Sequence, residues 1–125
     1  MLKDAQVMAT VAVRDMAAAR DFYERKLGLS PEGPVEDEMA VYRCGGSLLL
    51  LYVSQYAGTN QATAATWDVG AGLEPLVQAL QAKGVTFENY DLPETVRDGA
   101  IHRSGGRAVA WCKDGDGNIL AFAQG

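Results

Sequence analysis

One histidine, two cysteines and sixteen carboxylates are the side chains on which this chain could base proton transfer, nucleophilic attack or metal binding. Catalysis of that kind needs a tuned acid, base or nucleophile with a partner beside it. His102 has no second histidine to work with, and a solitary imidazole at a strand end is expected to be a surface or hydrogen-bonded residue. Cys44 and Cys112 sit inside apolar, strand-like segments and read as buried thiols of a reducing cytoplasm. Asp91, Glu94 and Asp98 fall in loop-like stretches where charge is expected to be solvated, and Asp114 and Asp116 belong to a Gly-rich turn. Arg103 and Arg107 flank Ser104-Gly105-Gly106; they are open to an acidic ligand group but, as hairpin-tip residues, are expected to face solvent. No catalytic constellation emerges, and no catalytic residue is assigned.

The elements that carry these residues repeat. Val13-Arg14-Asp15-Met16 opens a helix that closes at Leu27-Gly28-Leu29, and Val69-Gly70-Ala71-Gly72 opens a second that closes at Lys83-Gly84-Val85. The offset is 56 at both ends (69 − 13 and 84 − 28), and an internal repeat of this length points to a duplicated supersecondary unit. Asp15 stands at the first N-cap and Gly28 at the first C-cap. Ala18, Ala19, Phe22, Tyr23 and Leu27 follow helical spacing in the first helix; Leu73, Leu76, Val77 and Leu80 do so in the second, where Pro75 is tolerable in the opening turn. Residues 6–13, 38–44, 47–53, 62–69, 100–103, 107–113 and 119–123 read as strands, with 54–61 as a linker and 89–98 as an irregular loop. The order is β-α-β-β, with one more short strand to be placed, written twice: module 1 spans about 1–57 and module 2 about 60–125 of a single domain.

Composition narrows the partners. The chain has 125 residues, 48% hydrophobic and 22% charged, as an ordinary globular domain does. A net charge of −5 disfavours nucleic acid, which asks for a basic footprint. No apolar run is long enough to span a membrane and no signal peptide is visible, so a cytoplasmic location is expected.

Three segments carry a family resemblance: "RDMAAARDFYERKLGL" (14–29), "QALQAKGVTFENYDLP" (78–93) and "RAVAWCKDGDGNILAFAQ" (107–124). In this order and spacing they resemble the vicinal oxygen chelate superfamily, also called the glyoxalase/bleomycin resistance/dioxygenase superfamily. The resemblance implies an α+β fold of two βαβββ modules, with curved mixed sheets around a cavity, in a homodimer. It also implies a choice of functions, from metal-dependent isomerases, lyases and dioxygenases to metal-free proteins that sequester a drug.

In metal-bearing relatives His, Gln or Glu occupies one position on the first and one on the last strand of each module. Transferred to this chain, those positions fall on Met8, Leu50, Ala64 and Ala121, none of which offers oxygen or imidazole. The resemblance therefore implies a metal-free, cofactor-free member. Strand alternation from these positions places Met8, Thr10, Ala12, Leu50, Tyr52, Ala64, Thr66, Ala121 and Ala123 on the cavity side, with Val109 and Trp111 on the neighbouring strand and Tyr42 as a further aromatic. Tyr56 and Tyr90 are placed at the rim, Thr10 and Thr66 as orienting polar groups, and Trp67 and Phe22 beneath the helices. The leading expectation is a homodimeric protein that binds a hydrophobic or aromatic small molecule, an antibiotic by the closest analogy. The alternatives are a metal-dependent lyase, isomerase or dioxygenase whose ligands lie elsewhere, and a metal-free catalyst or interaction module.

Overall fold

A computed structural model describes residues 1–125. Each half begins as its repeat predicts. Strand β1 (Ala9–Val13) leads into helix α1, which is α-helical over Met16–Arg20 and continues as a π-helix over Asp21–Lys26. The Asp15 side chain accepts the Ala18 N–H at 3.1 Å, and Gly28 leaves the helix at φ 77°. Strand β4 (Thr63–Asp68) likewise leads through a 3₁₀ turn (Gly70–Gly72) into helix α2 (Leu73–Ala82), after which Gly84 takes φ 87°.

The first sheet contains β1, β2 (Met39–Cys44) and β3 (Ser47–Val53) in the order β1-β3-β2, with β1 parallel to β3. The second contains β5 (Phe87–Glu88), β6 (Val96–Asp98), β7 (Ile101–Ser104), β8 (Arg107–Lys113) and β9 (Ile119–Gln124), ordered β4-β9-β8-β7-β6, with β5 also on β8. The repeat extends into the pairing: Pro31 bridges Tyr42 and Phe87 pairs with Cys112, and these two leading residues are again 56 apart (87 − 31). Two expected boundaries change by more than one residue. The first strand starts at Ala9, because Gln6, Val7 and Met8 find no ladder partner, and the 89–98 loop ends in β6, which turns back onto β7 through Gly99-Ala100.

Both sheets send alternate residues toward the helices. Val11, Tyr42 and Leu51 from the first, and Cys112, Leu120 and Phe122 from the second, join Phe22, Leu73, Val77 and Leu80 in one hydrophobic cluster. Each fully buried leucine or phenylalanine there contributes about 1.5–3 kcal/mol. Strands β1 and β4 lie side by side where the sheets meet, without a hydrogen-bonded ladder between them.

One end of that seam is locked by the β8–β9 turn. The buried Asp114 carboxylate accepts the Tyr23 hydroxyl at 2.6 Å, the Asp116 and Asn118 N–H groups at 2.9 Å and Asn118 Nδ2 at 2.8 Å. Asn118 Nδ2 also donates to the Ala12 carbonyl at 2.7 Å. Burial beside this carboxylate pushes the Tyr23 phenol far above its ordinary range, so Tyr23 remains a donor.

Candidate functional site

The faces turned away from the helices carry the candidate site. On the first sheet, Thr10 pairs with Leu50 and Leu50 with Val41, while Ala12 pairs with Tyr52 and Tyr52 with Met39. On the second, Thr66 pairs with Ala121 and Ala121 with Trp111; the next row runs from Ala123 through Val109 to His102. Pleating puts residues opposite one another in register on the same face. Leu50, Val109, Trp111 and Ala123 are half-buried on these faces, Thr10 and Thr66 are exposed, and Ala121 is buried at the base. Ala64 is a correction: it falls at the ladder irregularity between Thr63 and Ala65, which breaks the alternation, and it packs against the core cluster.

Tyr42 is a correction. The two-residue Gly45-Gly46 turn sets Cys44 opposite Ser47 and hence Tyr42 opposite Leu49, on the helix side. Tyr42 is fully buried there, and its hydroxyl donates to Glu24 Oε2 at 2.8 Å. Met8 precedes β1 and is 43% exposed. The Thr10 hydroxyl is used locally, donating to the Met8 carbonyl at 3.3 Å. Trp67 does take the helix-side parity, stacking on Phe122 at a centroid distance of 5.5 Å.

The open face of the second sheet holds a cavity of about 670 Å³. Of the residues expected to bind ligand, Trp111 alone lines it; Thr10, Leu50 and Tyr52 belong to the other sheet, and Met8 precedes it. Trp111 is fixed on three sides. Its Nε1 donates to Thr63 Oγ1 at 3.2 Å, and Tyr90 and His102 meet its ring edge-on at centroid distances of 5.2 and 4.9 Å. His102 Nε2 accepts the Tyr90 N–H at 3.0 Å, so Nδ1 carries the ring proton and donates to the Ala100 carbonyl at 3.1 Å. The lone histidine is thus a buried support that holds the 89–95 loop against the tryptophan. Register could have found it, since the Gly105-Gly106 turn places His102 opposite Val109 on the cavity face.

Leu92 and Ile119 extend the apolar wall. Asn60 and Gln61 from the linker add amides, and Lys113, 3.7 Å from Glu88, adds a charged edge. Burial, reinforced by Glu88, pushes the Tyr90 phenol up, so its hydroxyl is a donor at neutral pH. An aromatic wall with polar groups along one side can bind a flat molecule and orient it.

The positions assigned to a metal by resemblance do not fit one. Met8, Leu50, Ala64 and Ala121 present a thioether and aliphatic groups, and nowhere do three His, Cys, Asp or Glu side chains converge.

Two repeated strand-helix-strand units with mixed, unclosed sheets define the fold class, and the sequence matches the Glyoxalase/Bleomycin resistance protein/Dioxygenase superfamily over residues 5–122. The chain belongs to that superfamily. Among solved structures, the bleomycin-binding protein of Streptomyces verticillus, complexed with copper(II)-bleomycin, aligns at a TM-score of 0.72 and 18% identity, over 100% of this chain and 99% of that one. The fosfomycin resistance protein FosX of Listeria monocytogenes aligns at 0.73 and 10%, over 98% and 93%. Lactoylglutathione lyase of Agrobacterium tumefaciens aligns at 0.72 and 18%, over 98% and 96%. Comparison with curated protein sequences gives no match.

Proposed function

We propose that this protein is a metal-free, cytoplasmic binding protein that sequesters a planar hydrophobic or aromatic small molecule, with an antibiotic as the ligand class, and that it works as a homodimer. The observation that carries this reading is Trp111, held by Thr63, Tyr90 and His102 at the wall of a cavity of about 670 Å³. Sequestration needs burial and a few oriented polar contacts, and makes no demand for a tuned nucleophile or a metal. The donor-poor set Met8, Leu50, Ala64 and Ala121 supports it, as does a fold shared with a protein that binds bleomycin.

The homodimer is supported by apolar side chains that a single chain leaves uncovered on the first sheet's open face. Met39 and Tyr52 are each 41% exposed there, with Met8 at its edge. A clustered apolar patch of this kind marks an interaction surface, and a second copy covering it would also wall the ligand site.

The test is a thermal-shift screen against aromatic antibiotics, with metal content measured on the same sample. A ligand that binds only the folded state raises the melting temperature. A large shift with one compound class, lost in a folded Trp111→Ala variant, is the expected result. Stoichiometric zinc, iron, nickel or manganese with no antibiotic response would overturn it in favour of a metal-dependent lyase or isomerase.

A further inference from the structure

The seam between β1 and β4 has two ends, related by the internal repeat, and only one is closed. At the closed end Asn118 reaches the Ala12 carbonyl and Tyr23 reaches Asp114, leaving a space of about 70 Å³ beside Tyr23 and Asp114. Adding the repeat offset maps Ala12 to Asp68 (12 + 56) and Tyr23 to Ala79 (23 + 56). The turn that corresponds to residues 114–118 is Gly45-Gly46, which has no side chain with which to cross the seam. The bridging groups are all missing from this end, and a cavity of about 620 Å³ stands where their counterparts would lie.

Its chemistry is specific. Trp67 forms one wall and is backed by Phe122, with the two rings 25° from parallel. Leu29, Leu48 and Leu49 supply apolar surface. Two charged residues lie at the mouth. Arg43 is already neutralised, since Glu32 meets its Nε and its Nη2 at 2.8 Å each. Asp68 forms no salt bridge; its Oδ1 accepts the Gly70 N–H at 3.2 Å. The uncompensated charge is therefore negative; Asp68 and Trp67 leave opposite faces of β4, an edge strand, and both line the cavity at that edge. That combination suits a ring stacked on indole with a cationic nitrogen beside a carboxylate.

We propose that this open end of the seam is a second small-molecule site, separate from the Trp111 cavity, and that it takes planar aromatic amines. The Cys44 thiol also lines it, and gives a local reporter. The other thiol, Cys112, is fully buried and pushed up to about 12, so it stays silent.

The experiment titrates the full chain with 9-aminoacridine, a cation at neutral pH, and with anthracene-9-carboxylate, an anion of the same ring size. Calorimetry reads binding, and mass spectrometry reads the rate of Cys44 alkylation by N-ethylmaleimide. The amine should bind and slow Cys44 alkylation strongly, while the carboxylate should do neither. Asp68→Asn keeps the acceptor for Gly70 but removes the charge, and should weaken the amine about tenfold. Trp67→Leu should abolish protection, and Trp111→Leu should preserve it. Should Trp67→Leu fail to fold, the Asp68→Asn comparison carries the test alone. Absence of amine binding, unprotected Cys44 at saturation, equal protection by the carboxylate, or protection lost with Trp111→Leu and kept with Trp67→Leu would each overturn the proposal.

Discussion

The Tyr23 hydroxyl donates to Asp114 at 2.6 Å across 91 positions of sequence, joining the helix of one repeat to the turn of the other. Replacing Asp114 with Ala strands the Tyr23 hydroxyl, two backbone N–H groups and the Asn118 amide in a buried place. The expected loss is about 3–5 kcal/mol. Tyr23→Phe should cost less, on the order of 1–3 kcal/mol, because the carboxylate keeps its other three donors. Urea unfolding of both variants checks the ranking.

Gly58 should tolerate no side chain. A Cβ there would lie 1.7 Å from the Asp116 carbonyl oxygen, and the residue sits at φ +73°. Gly58→Ala must move backbone on both sides of the contact, at a cost of about 2–4 kcal/mol, visible as a lower melting temperature.

His102→Leu keeps the bulk of the imidazole and removes the acceptor for the Tyr90 N–H. Hydrogen exchange at Tyr90 should rise several-fold, with a stability loss of about 1–2 kcal/mol. Exchange in β9 should follow the global stability alone. Unchanged protection at Tyr90 would remove His102 from its supporting role.

Glu24 predicts an acid limb. The hydrogen bond from Arg20, at 2.6 Å, and then that from Tyr42 hold its carboxyl below the ordinary 4.5. The folded state then binds fewer protons than the unfolded state, so this contribution is present above the unfolded value and disappears as pH falls through the folded one. Glu24→Gln should flatten the stability profile below about pH 4.5 and leave its slope near neutrality unchanged. Because Glu24 is partly open to water, the effect should stay under about 1 kcal/mol.

The two cysteines should separate by reactivity. Burial pushes the Cys112 thiol up to about 12, whereas Cys44 is half-exposed. At pH 8 the native protein should react with one equivalent of a disulfide reagent, and with two after denaturation.

The framework was legible because the physics that sets it is local. Asp15 and Gly28 bound a helix with apolar residues at helical spacing, and a repeat offset of 56 transfers that reading to the second half. Alternation then put Leu50, Thr66 and Trp111 on the face away from the helices. Tyr42 departs from the expected face because Gly45-Gly46 fixes a register that the aromatic side chain by itself does not reveal. The site was less legible than the fold. The Gly105-Gly106 turn sets His102 on the face that carries Trp111, but Tyr90 and Thr63 reach that ring from a loop and another strand, and no spacing in the chain encodes their arrival. The β6–β7 hairpin leaves no mark in the sequence because three exposed residues, Val96–Asp98, carry no apolar alternation.

The lock at the closed end of the seam also sets an order of events. Ala12, Arg14 and Tyr23 find their partners in Asn118, Asp116 and Asp114, from 91 to 106 positions downstream. Translation must pass Asn118 before the first repeat can complete its hydrogen bonding. Until then the first half has only its own sheet and helix to dock against, and the 114–118 turn is the clasp that joins both halves at once.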